Sequence, residues 1–509
     1  NLERFYDDTT TTSSGATLTT AAFNKRLAKA LLAIRNVLNT PDILALEEMN
    51  NLTTLQSLAA RISADAVAAG QPDPEYLAYL SEGNDPSFIN VAFLVKKSRI
   101  DVVDVTQYGK YATYINPSNG QPDLVNDRPP LVLRANVKAS GKELPIPLTV
   151  IANHLRSLSG LTDAVDGPRV RAKRAANAEF LANLIQGMQS DNVISVGDYN
   201  AYEFSDGYVD VMGTVMGTPA PADQVVLSTS DLVNPDLTDL LTSLAADQRY
   251  SYSFDGSAQT LDHFLVNPNA LSHVTRFAYA RVDADFPESM RGDGTRPERV
   301  SDHDPGVAYI AVPVDNDPPV VAVTGVTEGA TYLLGVVPTA GCSTTDAMSG
   351  VATAATLSLT GGNATGVGQF TATCSGAVDK VGNAADPVSA HFTVAYAFGG
   401  FGSPLNSGGP FKSGSTVPVK FQLANGLGAL ITNTSAITAI QYAWNADCAG
   451  APEGGWQTAA STGGSKLRFD ATDLQFVFNW KTNGIAAGCY TLGVKLDDTT
   501  TRSLIVRVK

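Results

Sequence analysis

The apolar positions in the first three hundred residues change their period several times. Leu27, Leu31, Ile34 and Leu38 recur three or four residues apart ahead of Pro41, the spacing of one buried helical stripe. The unbroken run Ile43-Leu44-Ala45-Leu46 that follows reads as a buried strand. Further along, the pattern predicts a helix over 52–69, strands over 91–95, 131–137 and 148–153, a long helix over 169–189, and strands over 193–196, 261–266 and 307–312. Helices spread among many strands, with loops rich in Gly, Asn and Pro, predict an α/β or α+β layered domain over residues 1–312, in preference to a bundle or a sandwich.

The texture changes at Pro313-Val314-Asp315-Asn316-Asp317-Pro318-Pro319, which has the stiff, polar composition of an interdomain linker; Ca²⁺ binding by its acids is the alternative reading. Residues 320–397 are Thr, Val, Gly and Ala in short alternating runs, the pattern of an immunoglobulin-like β-sandwich. Residues 398–509 form a second β segment with its own aromatic residues and a closing strand over 504–508. The expected domains are therefore 1–312, 313–397 and 398–509, the last two all-β accessory domains.

Composition narrows the class. A chain of 509 residues, 44% hydrophobic and 17% charged, is too long for one core. No run of eighteen apolar residues occurs, so no helix is expected to span a bilayer. The four cysteines, Cys342, Cys374, Cys448 and Cys489, fall two in each β segment. Three pairings are possible and the local one is the simplest; the spacings are not those of a zinc knuckle or a redox Cys-x-x-Cys, which favours disulfides and an extracellular, secreted or surface-associated protein. The chain opens in a strand-like segment, Asn1-Leu2-Glu3-Arg4-Phe5-Tyr6, with no Met or leader, and the expectation is that upstream sequence was removed.

Charge is uneven. Residues 313–509 carry 12 acidic against 10 basic side chains, and residues 1–312 carry 38 against 25. An acidic front region does not hold a polyanion by bulk attraction, so such a substrate needs a bound cation and a local basic patch. Arg169, Arg171, Lys173 and Arg174 are the candidate patch, with the solvated face of a helix as the alternative.

Candidate chemistry sits where apolar runs end. Leu46-Glu47-Glu48-Met49-Asn50, Val150-Ile151-Ala152-Asn153-His154-Leu155-Arg156-Ser157, Ser195-Val196-Gly197-Asp198-Tyr199-Asn200, Leu261-Asp262-His263-Phe264 and Ser301-Asp302-His303-Asp304 each close on acids, amides or a histidine, and Asn1 joins them. Strands that end in this way converge on one sheet edge. Hard cations take carboxylate and amide oxygens, which suits Glu48, Asp302 and Asn1. An Asp to handle the attacking water, an Asn or Arg for phosphate oxygens and an acid-oriented His complete the set that metal-assisted phosphoester hydrolysis needs.

In this order, these residues resemble the endonuclease/exonuclease/phosphatase family, which includes deoxyribonuclease I, and the resemblance spans residues 1–312. It implies a four-layered sandwich of two packed β-sheets flanked by helices. It also implies Glu48, Asp302 and Asn1 as metal-proximal residues, with Mg²⁺ or Mn²⁺ as the cofactor and Ca²⁺ as a further candidate. His154, Asp198, Asn200, Asp262, His303 and Arg128 match the catalytic and phosphate-contacting positions, while His263 is expected to be a neighbour and not a catalyst. The Gln that precedes the metal Glu in the family is Glu47 here, which adds negative charge beside the site. The tail resembles bacterial immunoglobulin-like repeats and, through Pro418-Val419-Lys420-Phe421, the module named for its Pro-x-Lys-Phe motif.

The function expected is a secreted nuclease, monomeric, with nucleic acid as substrate and the β-domains serving spacing or attachment to a cell surface or matrix. A phosphatase or sphingomyelinase-like phospholipid phosphodiesterase on the same scaffold is the enzymatic alternative. An inactive adhesion protein is the non-enzymatic one. Loops 70–88, 104–127 and 203–235 are expected to set substrate choice.

Overall fold

The computed structural model describes residues 1–11 and 17–509. The chain divides into two compact units, Asn1–Val314 and Asp315–Lys509. The first is mixed α/β. In chain order it contains α1 (Thr20–Leu32), β1 (Ile43–Met49), α2 (Leu52–Ala68), β2 (Tyr76–Leu80), β3 (Asn90–Lys96), β4 (Ile100–Gln107), β5 (Thr113–Asn116), β6 (Gln121–Leu124), β7 (Leu131–Val137), β8 (Ile146–His154), α3 (Gly167–Gln186), β9 (Val193–Asp198), α4 (Val211–Met216), β10 (Thr238–Asp239), β11 (Tyr252–Phe254), β12 (Ser257–Gln259), β13 (Asp262–Val266), β14 (Val274–Tyr279) and β15 (Gly306–Ile310).

A six-stranded sheet in the order β10-β13-β9-β8-β7-β4 forms one wall; β1-β3-β2 and the pair β14-β15 form two smaller sheets. Only β8 and β9 pair in parallel within the large sheet, and the connection between them carries α3, as a parallel pair requires. Alternation along the strands explains the packing. Val91, Phe93 and Val95 of β3 join Leu131 and Leu133 of β7 in the cluster between the sheets, while Ala92 and Leu94 turn to Leu27, Leu31, Leu55 and Ile62 of α1 and α2. Val132 and Ile151 face the other way, onto Leu181 and Ile185 of α3. Strands covered on both faces read as continuous apolar runs, which is why they stand out in the sequence. A cavity of about 530 Å³ lies between β1 and β15, touching consecutive residues of both strands.

The first helix starts earlier than its apolar stripe, because Thr19 caps it by accepting the Ala22 N–H at 3.2 Å, and it continues as a wider π-turn over Ala33–Val37. β2, β4 and the β5-β6 hairpin lie in stretches where no element was expected. β2 and β4 are edge strands, and the hairpin is a two-stranded sheet of its own. β4 and the hairpin carry polar residues such as Asp101, Asp104 and Asp123, so their periodicity is weak, while β2, Tyr76-Leu77-Ala78-Tyr79-Leu80, is too short to show one.

In the second unit, residues 320–395 form a four-stranded sheet and two strand pairs, and residues 397–508 form two four-stranded sheets; among the described residues each of these sheets keeps to one side of Tyr396. Cys342 pairs with Cys374 and Cys448 with Cys489, one disulfide in each segment. One apolar cluster nevertheless runs from Val326 through Phe392, Phe421 and Trp480 to Val508. The segment read as a linker is folded: Asp315 is buried, its carboxylate accepts the Asp317 and Ser349 N–H groups at 3.0 Å each, and its carbonyl accepts from the Asn383 amide.

Candidate active site

Three neighbouring strands of the large sheet end at one level. The register sets His154 of β8 opposite Asp198 of β9, and Asp198 opposite Asp262 of β13, so three apolar strands deliver three polar side chains to one row. Gly197 makes that row possible. A Cβ at this position would lie 1.9 Å from the Asn153 carbonyl oxygen, and its φ of 140° lies outside the range of ordinary side-chain-bearing residues.

His303 reaches the row from a loop that bridges to Tyr252 of β11. Its Nδ1 donates to Asp262 Oδ2 at 2.7 Å, and Ser251 Oγ donates to the same oxygen at 2.6 Å. Asp198 Oδ2 lies 3.9 Å from His303 Nε2 and 3.5 Å from His154 Nε2. The Asn1 side-chain amide donates to this oxygen at 3.3 Å. All four titratable side chains are buried.

Burial alone would neutralise these groups, and their mutual charges decide which of them it neutralises. The Asp198 carboxyl is pushed up to about 7 by burial, with His303 opposing and Asp262 adding to the push. For His303, burial is outweighed by the carboxylates of Asp262 and Asp198, and its imidazole is raised to about 10. Asp262 is held below the usual carboxylate range because the charge and hydrogen bond of His303 overcome its burial. His154 is pushed well below the ordinary histidine value by burial, with Arg128 and His303 adding to it, and its Nδ1 has no partner among the described residues. The site therefore holds a charged histidine locked to an acid, a neutral histidine, and an acid poised near neutrality.

The other predicted positions surround this row. Asn200, at a left-handed φ of 49°, donates its backbone N–H to Asp198 Oδ1 at 2.8 Å. Glu48 also adopts a left-handed φ, 61°, where the β1-β3 register shifts, and its carboxylate accepts the Arg4 N–H at 2.6 Å. Its charge adds to the upward push on Asp198, as that of Asp302 does for His303. Glu47 is buried and accepts from the Asn1 backbone nitrogen at 2.8 Å. Arg128 is engaged by protein oxygens: Nε donates to the His154 carbonyl at 3.2 Å, Nη2 to the Leu155 carbonyl at 2.7 Å and Nη1 to Asp85 at 3.2 Å. It thus fixes the end of β8.

His263 is buried behind the row. Both ring nitrogens face oxygen acceptors, Asp239 at 2.6 Å and the Ala201 carbonyl at 2.9 Å, and Asp239 holds its pKa above the ordinary value against the opposing effect of burial. It ties the loop after Asn200 to β10. The basic cluster on α3 is not a solvated face. Arg174 is buried and donates to the carbonyls of Arg156 and Asn200 while pairing with Asp206, Lys173 pairs with Asp127 at 2.6 Å, and Arg169 pairs with Asp166. Ser251, Asp85, Asp206 and Asp239 were not singled out in the sequence, since each lies in a loop or a two-residue strand with no motif around it.

Oxygen and nitrogen donors of Asp198, Asp262 and His303 all fall within 4.8 Å of one another. The carboxylate oxygens of Asp198 and Asp262, crowded in this way, have the donor chemistry that suits a hard divalent cation, while His303, held charged, offers no lone pair to one. A second trio, Asp315, Asp346 and Asp379, lies in the β unit.

No family model matches the chain, and no curated protein matches it. Solved structures with a similar arrangement belong to the endonuclease/exonuclease/phosphatase family at low identity. A family member from Bacteroides vulgatus is 15% identical with a TM-score of 0.36, over 57% of this chain and 92% of its own. A mannosyl-6-phosphatase of Bacteroides thetaiotaomicron is 14% identical with a TM-score of 0.33, over 57% and 91%. An AP endonuclease from Archaeoglobus fulgidus is 15% identical with a TM-score of 0.35, over 57% and 96%.

Proposed function

We propose that residues 1–314 form a divalent-metal-dependent phosphodiesterase, a nuclease in the first instance, that hydrolyses its substrate by direct attack of water. The observation that carries this reading is the buried Asp262–His303–Asp198 chain with His154 beside it. Asp198, at about 7, is a carboxylate in mildly alkaline solution and accepts the proton of the attacking water. His303, kept charged by Asp262, stabilises the negative charge that grows on the phosphoryl oxygens. His154 stays neutral and hydrogen-bonds to the phosphoryl group without adding charge. Asn200 orients Asp198 through its backbone and offers its side-chain amide to the phosphate. Glu48, Asp302 and Asn1 are the residues that would hold Mg²⁺ or Mn²⁺, which offsets phosphate charge when bound. Arg128 holds the end of β8 with three of its five N–H groups and offers the other two to the phosphate.

The reading extends to architecture and location. The three apolar clusters of the first unit support a four-layered sandwich, and the separate sheets and disulfides on either side of Tyr396 support two β modules, 313–397 and 398–509, with a spacing or attachment role. The disulfides also support an oxidising, extracellular setting. The test is turnover of plasmid DNA, RNA, sphingomyelin, a phosphoinositide and bis(4-nitrophenyl) phosphate with and without EDTA. Nucleic-acid cleavage that chelation abolishes is the expected result. Turnover of lipid or monoester alone would move the reading to the alternative substrates, and no turnover with any metal would end it.

A further inference from the structure

Beside the row of acids and histidines lies an open cleft of about 630 Å³, and its walls come from the loops that carry the site. Leu161 follows His154 in the chain, Tyr202, Phe204 and Tyr208 follow Asn200, and Phe254 belongs to the hairpin that brings Ser251 and Tyr252. A single exposed aromatic residue is ordinary, whereas several gathered in one cleft mark a binding surface. Phe204 is 62% exposed and Phe254 54%. Each already stacks on a tyrosine: Tyr202 and Phe204 have centroids 5.3 Å apart and planes within 19°, and Tyr252 and Phe254 are 6.3 Å apart and within 13°. Tyr252 in turn lies against the His303 ring at 4.7 Å, so a continuous series of rings leads from the site into the cleft.

Charge decides what these rings can hold. The acid in the wall, Asp206, is engaged by Arg174 and by the backbone N–H groups of Tyr208 and Val209. The nearby cation, Arg171, is drawn over the Tyr208 ring at 4.0 Å and donates to the Leu161 carbonyl. What remains is flat aromatic surface rimmed by the Thr162 and Ser205 hydroxyls. That chemistry suits an uncharged planar ring carrying polar edges, and a nucleobase is such a ring. A base in a duplex is stacked on both faces and paired at its edge, so an unpaired base enters at far lower cost.

We infer that this cleft is a base-stacking subsite that takes an unpaired nucleobase next to the scissile phosphate, which makes single-stranded nucleic acid the preferred substrate. The inference rests on the phosphodiesterase reading and adds the substrate class to it. Stacking on an aromatic side chain holds a base whatever its identity, so removing one ring is expected to cost roughly tenfold in affinity.

The experiment compares the wild-type protein with F204A and F254A on three substrates: a single-stranded oligonucleotide, the same oligonucleotide with one abasic position at each site in turn, and the small diester formed by two abasic deoxyribose units, which has no aromatic ring to stack. The expected result is about a tenfold rise in KM on the oligonucleotide, unchanged turnover of the small diester, and the same loss for the wild-type protein when the base next to the cut is missing, with little further loss in the variants. Equal KM values for variants and wild type on the oligonucleotide, with small-diester turnover intact, would overturn the subsite alone. A loss confined to sphingomyelin vesicles would overturn it in favour of a lipid surface. Absence of all diester turnover would overturn the function and the subsite together.

Discussion

The two units hold their buried acids differently. In the β unit the buried acids are closed off: Asp379 accepts from the backbone and the amide of Asn383 and from Val381, and Asp315 from Ser349 and Asp317. In the first unit a buried histidine keeps a ring nitrogen unpartnered, and two buried carboxylates share a charged histidine. Uncompensated charge in a protein interior costs several kcal/mol, so it persists only where surrounding structure holds it. The difference separates acids tied to the backbone, Asp315 and Asp379, from acids that face a charged histidine, Asp198 and Asp262.

The strongest way to break that comparison is to remove the chemistry and look for a structural cost. D198A should reduce turnover of bis(4-nitrophenyl) phosphate by about a thousandfold or more, with the melting temperature of the first unit nearly unchanged or raised, and H303A should reduce it as far while lowering that temperature, because it leaves the buried Asp262 carboxylate without its cation. Activity surviving in both would remove the assignment. The reverse effect is expected at Arg174, whose guanidinium joins the carbonyls behind His154 and Asn200 to Asp206. R174M should destabilise the first unit by about 3–5 kcal/mol in denaturant unfolding, because it strips a buried guanidinium from two carbonyls and leaves the Asp206 carboxylate with its backbone donors alone. Turnover should fall with it, while the unfolding of the β unit stays in place.

Serine at both Cys342 and Cys374 should do the opposite. The bridge closes a separation of 32 residues, worth about 3–4 kcal/mol, and its loss should lower only the β-unit transition, with kcat unchanged. A fall in kcat would show that the two regions are not independent. The smallest effect concerns acid. Asp7 accepts from Asn51, Thr54, Thr9 and Thr10, and these hydrogen bonds outweigh its burial and hold its carboxyl well below the usual range. A depressed value stabilises the fold above the unfolded value of about 4 and is lost as pH falls toward the folded one. D7N should therefore lower the first unit's stability by about 1–2 kcal/mol at pH 7 and progressively less below pH 4. A gap that does not narrow in acid would reject this origin.

How much could be read from the sequence follows the same division between buried strands and the loops around them. β3, β7, β8, β9 and β13 stood out because both faces are apolar, and the residues that end them, His154, Asp198 and Asp262, could be named from the runs alone. Their supports could not. Ser251, which holds Asp262, and Asp239, which holds His263, act across folds of chain that no local pattern announces. Arg128 shows the limit as well: its type suits phosphate, and nothing in the sequence announces that three of its five N–H groups donate to protein oxygens. The segment read as a linker does hold the boundary between the two units, at Val314, but polar composition does not reveal that Asp315 finds backbone partners far along the chain.

His154, Asp198 and Asp262 are successive rungs of one hydrogen-bonded ladder. Their spacing is thus inherited from the repeat of the sheet, and insertions in the neighbouring loops can diversify what the molecule recognises while this spacing stays constant. A slip of β9 by a single residue is the one local error the arrangement does not tolerate, because it would turn Asp198 to the opposite face and its apolar neighbours into the row.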